Sequence, residues 1–156
     1  MKDCYKKYFV RVQLVRESRA KLEQILNVQD AIRIVGKYLE KCDREHLVVA
    51  HLDAKNNLVG IEEVAIGGSI ECPAHPAEIF KGALLSNACS IIIFHNHTTG
   101  DVYPSQNDHA ATKRIKEAGE LLGIEVADHI IVGTKGTFYS FQRQRKIDDE
   151  ELTWGW

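Results

Sequence analysis

The sequence predicts an α/β protein, a single-domain α-β-α sandwich around a mixed β-sheet. Short apolar runs with strand character alternate with stretches of helical periodicity, the order expected of a layered α/β domain. Hairpin-type turn signals at Asn56-Asn57 and Thr134-Lys135-Gly136 make some neighbouring strands antiparallel, so the sheet is mixed. With 156 residues, 44% of them hydrophobic and 27% charged, the chain is one domain's worth, and such a domain buries roughly two-thirds of its unfolded surface.

Taken in order, Tyr5 to Arg16 alternates apolar and polar residues and reads as a half-buried strand, followed by a polar connection from Ser18 to Leu26. Val28 to Cys42 repeats Ala31, Ile34, Val35, Tyr38 and Leu39 at helical spacing behind an Asn27 cap. His46 to Asp53 is too apolar for an exposed strand, and Leu58 to Ile66 returns from the Asn56-Asn57 turn until Gly67-Gly68 breaks it. Pro76 opens a helix through Ala88 with Ile79, Phe80, Ala83 and Leu84 inward. Ser90 to Phe94 is a strand buried on both faces. A helix from Ser105 to Leu122 carries an apolar stripe of Ala111, Ile115, Ala118 and Leu122 and stops at Gly123. Ile124 to Val132 and Thr137 to Phe141 close the sheet. The expected organisation is an N-terminal strand and connecting segment over 1–26, the domain over 27–142 and a charged tail over 143–156.

A net charge of −2 gives no global attraction to nucleic acid. The cysteines at 4, 42, 72 and 89 form no Cys-x-x-Cys, which argues against a zinc knuckle or a dithiol redox centre. Cys42 and Cys89 adjoin apolar runs and are expected to be buried. No signal peptide or long apolar segment is visible, so the expectation is a cytoplasmic protein with reduced thiols and no membrane partner.

The chemistry concentrates between Ser90 and Asp108. Residues two apart on a strand project to the same side, so His95 and His97 present parallel imidazoles at the end of the buried run. The segment Pro104-Ser105-Gln106-Asn107-Asp108 has the grammar of a helix start, with Ser105 as cap and Asp108 in the first turn. Two neutral imidazoles and a carboxylate form a ligand set suited to one catalytic Zn2+ ion with a fourth position open to water. A capping-box helix start would explain Ser105 and Asp108 taken alone. Paired histidines at the tip of an apolar strand have no such packing explanation, because their polar atoms need partners. His51, His75, His109 and His129 read as hydrogen-bonded structural residues, with His109 placed to line the pocket; Asn96 projects to the other side of the strand.

The spacing His-x-His, seven residues, Ser, two residues, Asp resembles the JAMM (MPN+) metalloprotease motif. The surrounding wording resembles the bacterial RadC-like proteins: Asp43-Arg44-Glu45-His46, His75-Pro76-Ala77-Glu78-Ile79-Phe80-Lys81, Arg114 to Ile124, and Asp128-His129-Ile130-Ile131-Val132-Gly133. The similarity covers about Val28 to Phe141. It implies a JAB/MPN, cytidine-deaminase-like fold and a zinc metallopeptidase or isopeptidase acting on a peptide or protein substrate. It also implies metal ligands His95, His97 and Asp108, with Glu45 as the base that activates water and Ser105 as a donor to the oxyanion. Glu62, Glu63 and Glu71 compete with Glu45 for the base. The chain departs from the pattern at Thr98, where such sequences usually carry proline, and this bears on activity more than on metal binding.

Two other functions follow from different features. The RadC name carries a DNA-repair association, and the basic run Arg143 to Lys146 below Phe138, Tyr139 and Phe141 is its local support; a solvated tail following an ordinary aromatic-bearing strand is the preferred reading of that run. A catalytically weak metal-binding protein is the alternative that Thr98 keeps open.

Overall fold

The computed structural model describes residues 23–67 and 75–147, and the expected strand Tyr5 to Arg16, Glu71 and the end of the tail lie outside them. Helix α1 is continuous, an α-helical turn Val28–Ala31 passing through a π-helical stretch Ile32–Gly36 into a last turn Lys37–Leu39. Strands β1 (His46–Leu52) and β2 (Leu58–Ile66) follow, then helix α2 (Pro76–Leu85), strand β3 (Ser90–Asn96), helix α3 (Gln106–Leu122), and strands β4 (Glu125–Val132), β5 (Phe138–Ser140) and β6 (Arg145–Ile147).

Among the described residues these strands form one six-stranded sheet in the order β2-β1-β3-β4-β5-β6. Only β3 and β4 run parallel, as their connection through α3 requires; every other pair is antiparallel. The period of two sorts the core into two faces. Val48, Ala50, Leu52, Ile92 and Phe94 pack with Val28, Val35 and Leu39 of α1. Leu47, Val49, Ile91 and Ile93 pack with Ile79, Phe80 and Ala83 of α2 and Ile115 of α3. The expected α-β-α sandwich with a mixed sheet is therefore present, and His95 and His97 continue the odd-numbered positions of β3 that face α3.

The caps act as their sequences imply. Asn27 accepts the Asp30 N–H at 2.9 Å, and His75 Nδ1 accepts the Ala77 N–H at 3.2 Å ahead of Pro76. Gly123 ends α3 in the left-handed region at φ 70°, with Ile124 N–H donating back to the Gly119 carbonyl at 3.0 Å.

Several expectations need correction. Leu84 is 52% exposed: the buried side of α2 is Ile79, Phe80 and Ala83, and Leu84 is turned away from it. The buried stripe of α3 is Thr112, Ile115 and Gly119, while Leu122 is 46% exposed. Gly119 sets this rotation: a Cβ there would lie 2.5 Å from the Ile124 carbonyl oxygen, so the helix touches the chain where it has no side chain. Cys89 is exposed and Cys42 half-buried, since Cys89 sits in the turn that enters β3 rather than inside it. The sheet also runs past residue 142: Arg145–Ile147 pairs with Phe138–Ser140, and Arg143 N–H donates to Ser140 Oγ at 3.1 Å. Arg145 and Lys146 of the basic run thus lie on the edge strand of the sheet.

Candidate metal centre

Strand β3 carries its apolar residues through Phe94 and then, still paired with β1 and β4, presents His95. His97 follows one pleat beyond, and Asp108 comes to both from the first turn of α3. One ligand atom from each of these residues lies within 4.8 Å of the other two. His95 Nε2 stands 3.3 Å from Asp108 Oδ1, His97 Nε2 3.4 Å from Asp108 Oδ2, and the two Nε2 atoms 3.0 Å from each other.

The outer atoms of the cluster are committed elsewhere. His97 Nδ1 donates to the Asp101 carbonyl at 2.8 Å, which leaves a lone pair on its Nε2 when the ring is neutral. Asp108 Oδ2 accepts the Ser105 N–H at 2.7 Å and the Ser105 hydroxyl at 2.6 Å, while Ser105 Oγ accepts the Asp108 N–H at 3.1 Å. Ser105 is thus a full capping-box partner of the ligand, and donation to an oxyanion would require its hydroxyl to turn away. His95 Nδ1 lies 2.8 Å from His129 Nε2.

Burial alone would raise the Asp108 carboxyl; bonding to His95 and His97, the charge of His95 and the Ser105 hydroxyl outweigh it and hold that carboxyl far below the usual range. Asp108 is also the main reason His97 is raised against the opposing effect of burial, with the Asp101 carbonyl and the charge of Glu45 adding to it. Two ring nitrogens 3.0 Å apart, each 3.3–3.4 Å from one oxygen of the same carboxylate, place their lone pairs against one another unless a cation sits among them. The donor set fits a divalent ion with nitrogen and oxygen ligands.

Glu45 lies just ahead of β1. The β1–β3 register pairs Leu47 with His95, and continuing it outward places Glu45 opposite His97 on the same face. Its competitors are engaged elsewhere. Glu63 bonds to His46 and accepts the Tyr38 hydroxyl at 2.7 Å, and these bonds, His46's first, hold its carboxyl below the ordinary range. Glu62 stands 3.8 Å from His51 near α2.

His109 is exposed beside Phe141, ring centroids 5.2 Å apart, and lines a cleft of about 630 Å³ with Thr112, Lys113, Lys116 and Tyr139. The residues that sequence reasoning did not connect to the centre are Asp101, Thr112 and His129. Asp101 is four residues from its histidine, so a turn closing on His97 was open to inference; the other two are brought in only by tertiary pairing.

A family model described as the RadC-like JAB domain matches residues 25–147. A UPF0758 protein of Syntrophomonas wolfei is 43% identical over 108 residues, 69% of this chain and 46% of that protein. Relatives of the same name from Shouchella clausii and Thermotoga maritima are 38% and 34% identical over 132 and 139 residues, covering 85% and 87% of this chain and 57% and 62% of theirs. The chain thus spans roughly half the length of the relatives it matches.

Proposed function

The chain belongs to the RadC-like JAB domain family, and on that premise we propose that it is a zinc-dependent hydrolase of amide bonds in a peptide or protein substrate. The convergence of His95 Nε2, His97 Nε2 and an Asp108 carboxylate oxygen within 4.8 Å of one another carries this reading. These three residues would hold the ion. Bound zinc supplies Lewis acidity and lowers the pKa of water in its open position to roughly 7.

In this reading Glu45 takes the proton from the attacking water and returns it to the departing amine, since its place beside His97 is the one a base needs. Ser105 keeps Asp108 oriented, and its hydroxyl lies at the positive end of α3, where it can turn to donate to the developing oxyanion.

The test is elemental analysis of the purified chain together with a peptidase and isopeptidase assay. The expected result is about one zinc per chain, abolished by His97→Ala with Asp108→Ala. Glu45→Gln should keep the zinc and slow hydrolysis by about 10²- to 10⁴-fold. Absence of zinc, or hydrolysis unchanged in Glu45→Gln, overturns the proposal; zinc without any hydrolysis leaves a binding protein.

A further inference from the structure

We infer that His129 is a positioning residue for the centre: it accepts the His95 Nδ1–H and so holds His95 in the tautomer whose Nε2 lone pair faces Asp108 and His97. The inference rests on the reading of His95 as a metal ligand, and it comes from counting hydrogens along a chain of three contacts. Thr112 Oγ1 is 2.6 Å from the Asp108 main-chain oxygen and 2.6 Å from His129 Nδ1. A carbonyl has no hydrogen to give, so Thr112 spends its one hydrogen on Asp108 and must accept from His129 Nδ1. His129 therefore carries its proton on Nδ1.

The second nitrogen follows from burial. His129 is 3% exposed, and its ring contacts are a hydroxyl, another imidazole and the stacked ring of Phe141 at 4.8 Å and 8°. No carboxylate touches the ring among the described residues, so an imidazolium there would be a buried charge without a counter-ion. Neutral His129 thus turns a bare Nε2 to His95 Nδ1 at 2.8 Å, and His95 must donate.

The consequence is a closed circuit. Asp108 from α3 and His95 from β3 meet at their side chains at 3.3 Å and are also joined through Thr112 and His129, which sits on β4. Phe141 fixes the plane of the His129 ring, so one tertiary arrangement sets both the aim and the protonation of the ligand before any ion arrives. A hydrogen-bond acceptor behind a ligating imidazole commonly decides metal affinity in this way.

Two measurements on the full chain test the inference. In the metal-free wild type, ¹⁵N–¹H correlation of the ring nitrogens should show His95 protonated on Nδ1; a His95 with a bare Nδ1 overturns the inference whether or not zinc binds. Zinc affinity, read by competition with a chromophoric chelator, should fall about 10- to 100-fold in His129→Leu, which deletes the acceptor. His129→Gln, which offers a carbonyl oxygen at the same reach, should recover most of that loss. Thr112→Val, nearly isosteric, should show a mixed His95 tautomer even if His129→Leu fails to fold. Wild-type zinc affinity in His129→Leu, or a single Nδ1–H tautomer in Thr112→Val, removes the claim. A wild type that takes no zinc instead defeats the metal reading and leaves the tautomer measurement to decide this one.

Discussion

The Asn96 side-chain oxygen accepts the His46 N–H at 2.9 Å while its amide donates to the Arg44 carbonyl at 2.8 Å, so the peptide groups flanking Glu45 hang from one buried side chain. Asn96 points away from the metal centre, as its place between two histidines on a pleated strand dictates, yet it couples the tip of β3 to the proposed base. Asn96→Ala leaves a buried donor and an acceptor unpaired and should cost about 1–3 kcal/mol in denaturant unfolding. If Glu45 is the base, kcat should fall by about tenfold or more through its displacement, with zinc affinity within about threefold of wild type. Equal losses in both would show that Asn96 supports the whole centre rather than Glu45.

Ser105 joins two roles that mutation can separate. Ser105→Ala removes the cap of α3 and a donor to Asp108, an expected loss of about 1 kcal/mol or roughly 2–4 °C in Tm. An oxyanion role predicts in addition a fall in kcat of about 10²-fold, restored by Ser105→Thr. A drop in Tm alone would confine Ser105 to the capping box.

The parts of the centre legible in the sequence were those set by local geometry. His95 and His97 share a face because strands alternate, and Ser105 and Asp108 face each other because a capping box spans three residues. Their meeting in space depends on β3 and α3 being consecutive, so the short loop brings them together. His129 reads as a hydrogen-bonded structural residue, and its link to the centre is hidden in the sequence because it reaches His95 across the parallel β3–β4 pairing, whose register shifts between Ile91 and Ile92. No count along the chain reveals such a shift. The stripe of α3 was misjudged for a similar reason: periodicity ranks apolar side chains, whereas the closest approach is made at Gly119, which has none.

Gly119→Ala makes that point measurable. In an exposed helix the change would stabilise by about 0.5–1 kcal/mol through lost freedom of the unfolded chain. Here the new Cβ meets the Ile124 carbonyl oxygen at 2.5 Å, Phe80 at 3.1 Å and Val126 at 3.2 Å, and a backbone atom cannot step aside. A net destabilisation of about 1–3 kcal/mol is expected. A more stable variant would mean that α3 stands further from β4.

Thr98 occupies the first central position of the turn closed by Gly100 N–H to the His97 carbonyl at 2.9 Å, the position at which proline's fixed φ is favoured. Thr98→Pro should therefore stabilise the chain by about 0.4–1 kcal/mol. It should also tighten zinc binding by a few fold by narrowing the range of His97 geometries. A rise in hydrolysis along with it would show that Thr98 limits the rate; tighter zinc with unchanged hydrolysis would favour the catalytically weak reading.

The pH dependence of stability in chelator-treated protein tests the buried imidazoles outside the ligand set. Burial pushes the His51 imidazole down, and burial followed by the charge of His95 pushes His129 well down. Both thus take up protons less readily in the fold than in the unfolded chain, whose imidazoles take them up below about pH 6.5. Their contribution is therefore fully present above pH 6.5 and is lost as pH falls toward the depressed folded values, by up to about 1.4 kcal/mol per pH unit for each. His97 is raised and works in the opposite sense, its contribution complete below pH 6.5 and lost at higher pH, so it adds little between pH 6 and 5. His51 Nε2 has no hydrogen-bond partner among the described residues, while His51 Nδ1 lies 3.1 Å from Ser86 Oγ, so His51→Leu deletes a desolvated atom, the Ser86 contact and the His51 titration. The slope of unfolding free energy between pH 6 and 5 should fall in His51→Leu while stability at pH 7.5 changes by about 1 kcal/mol or less. An unaltered slope would mean that His51 reaches water and titrates alike in both states.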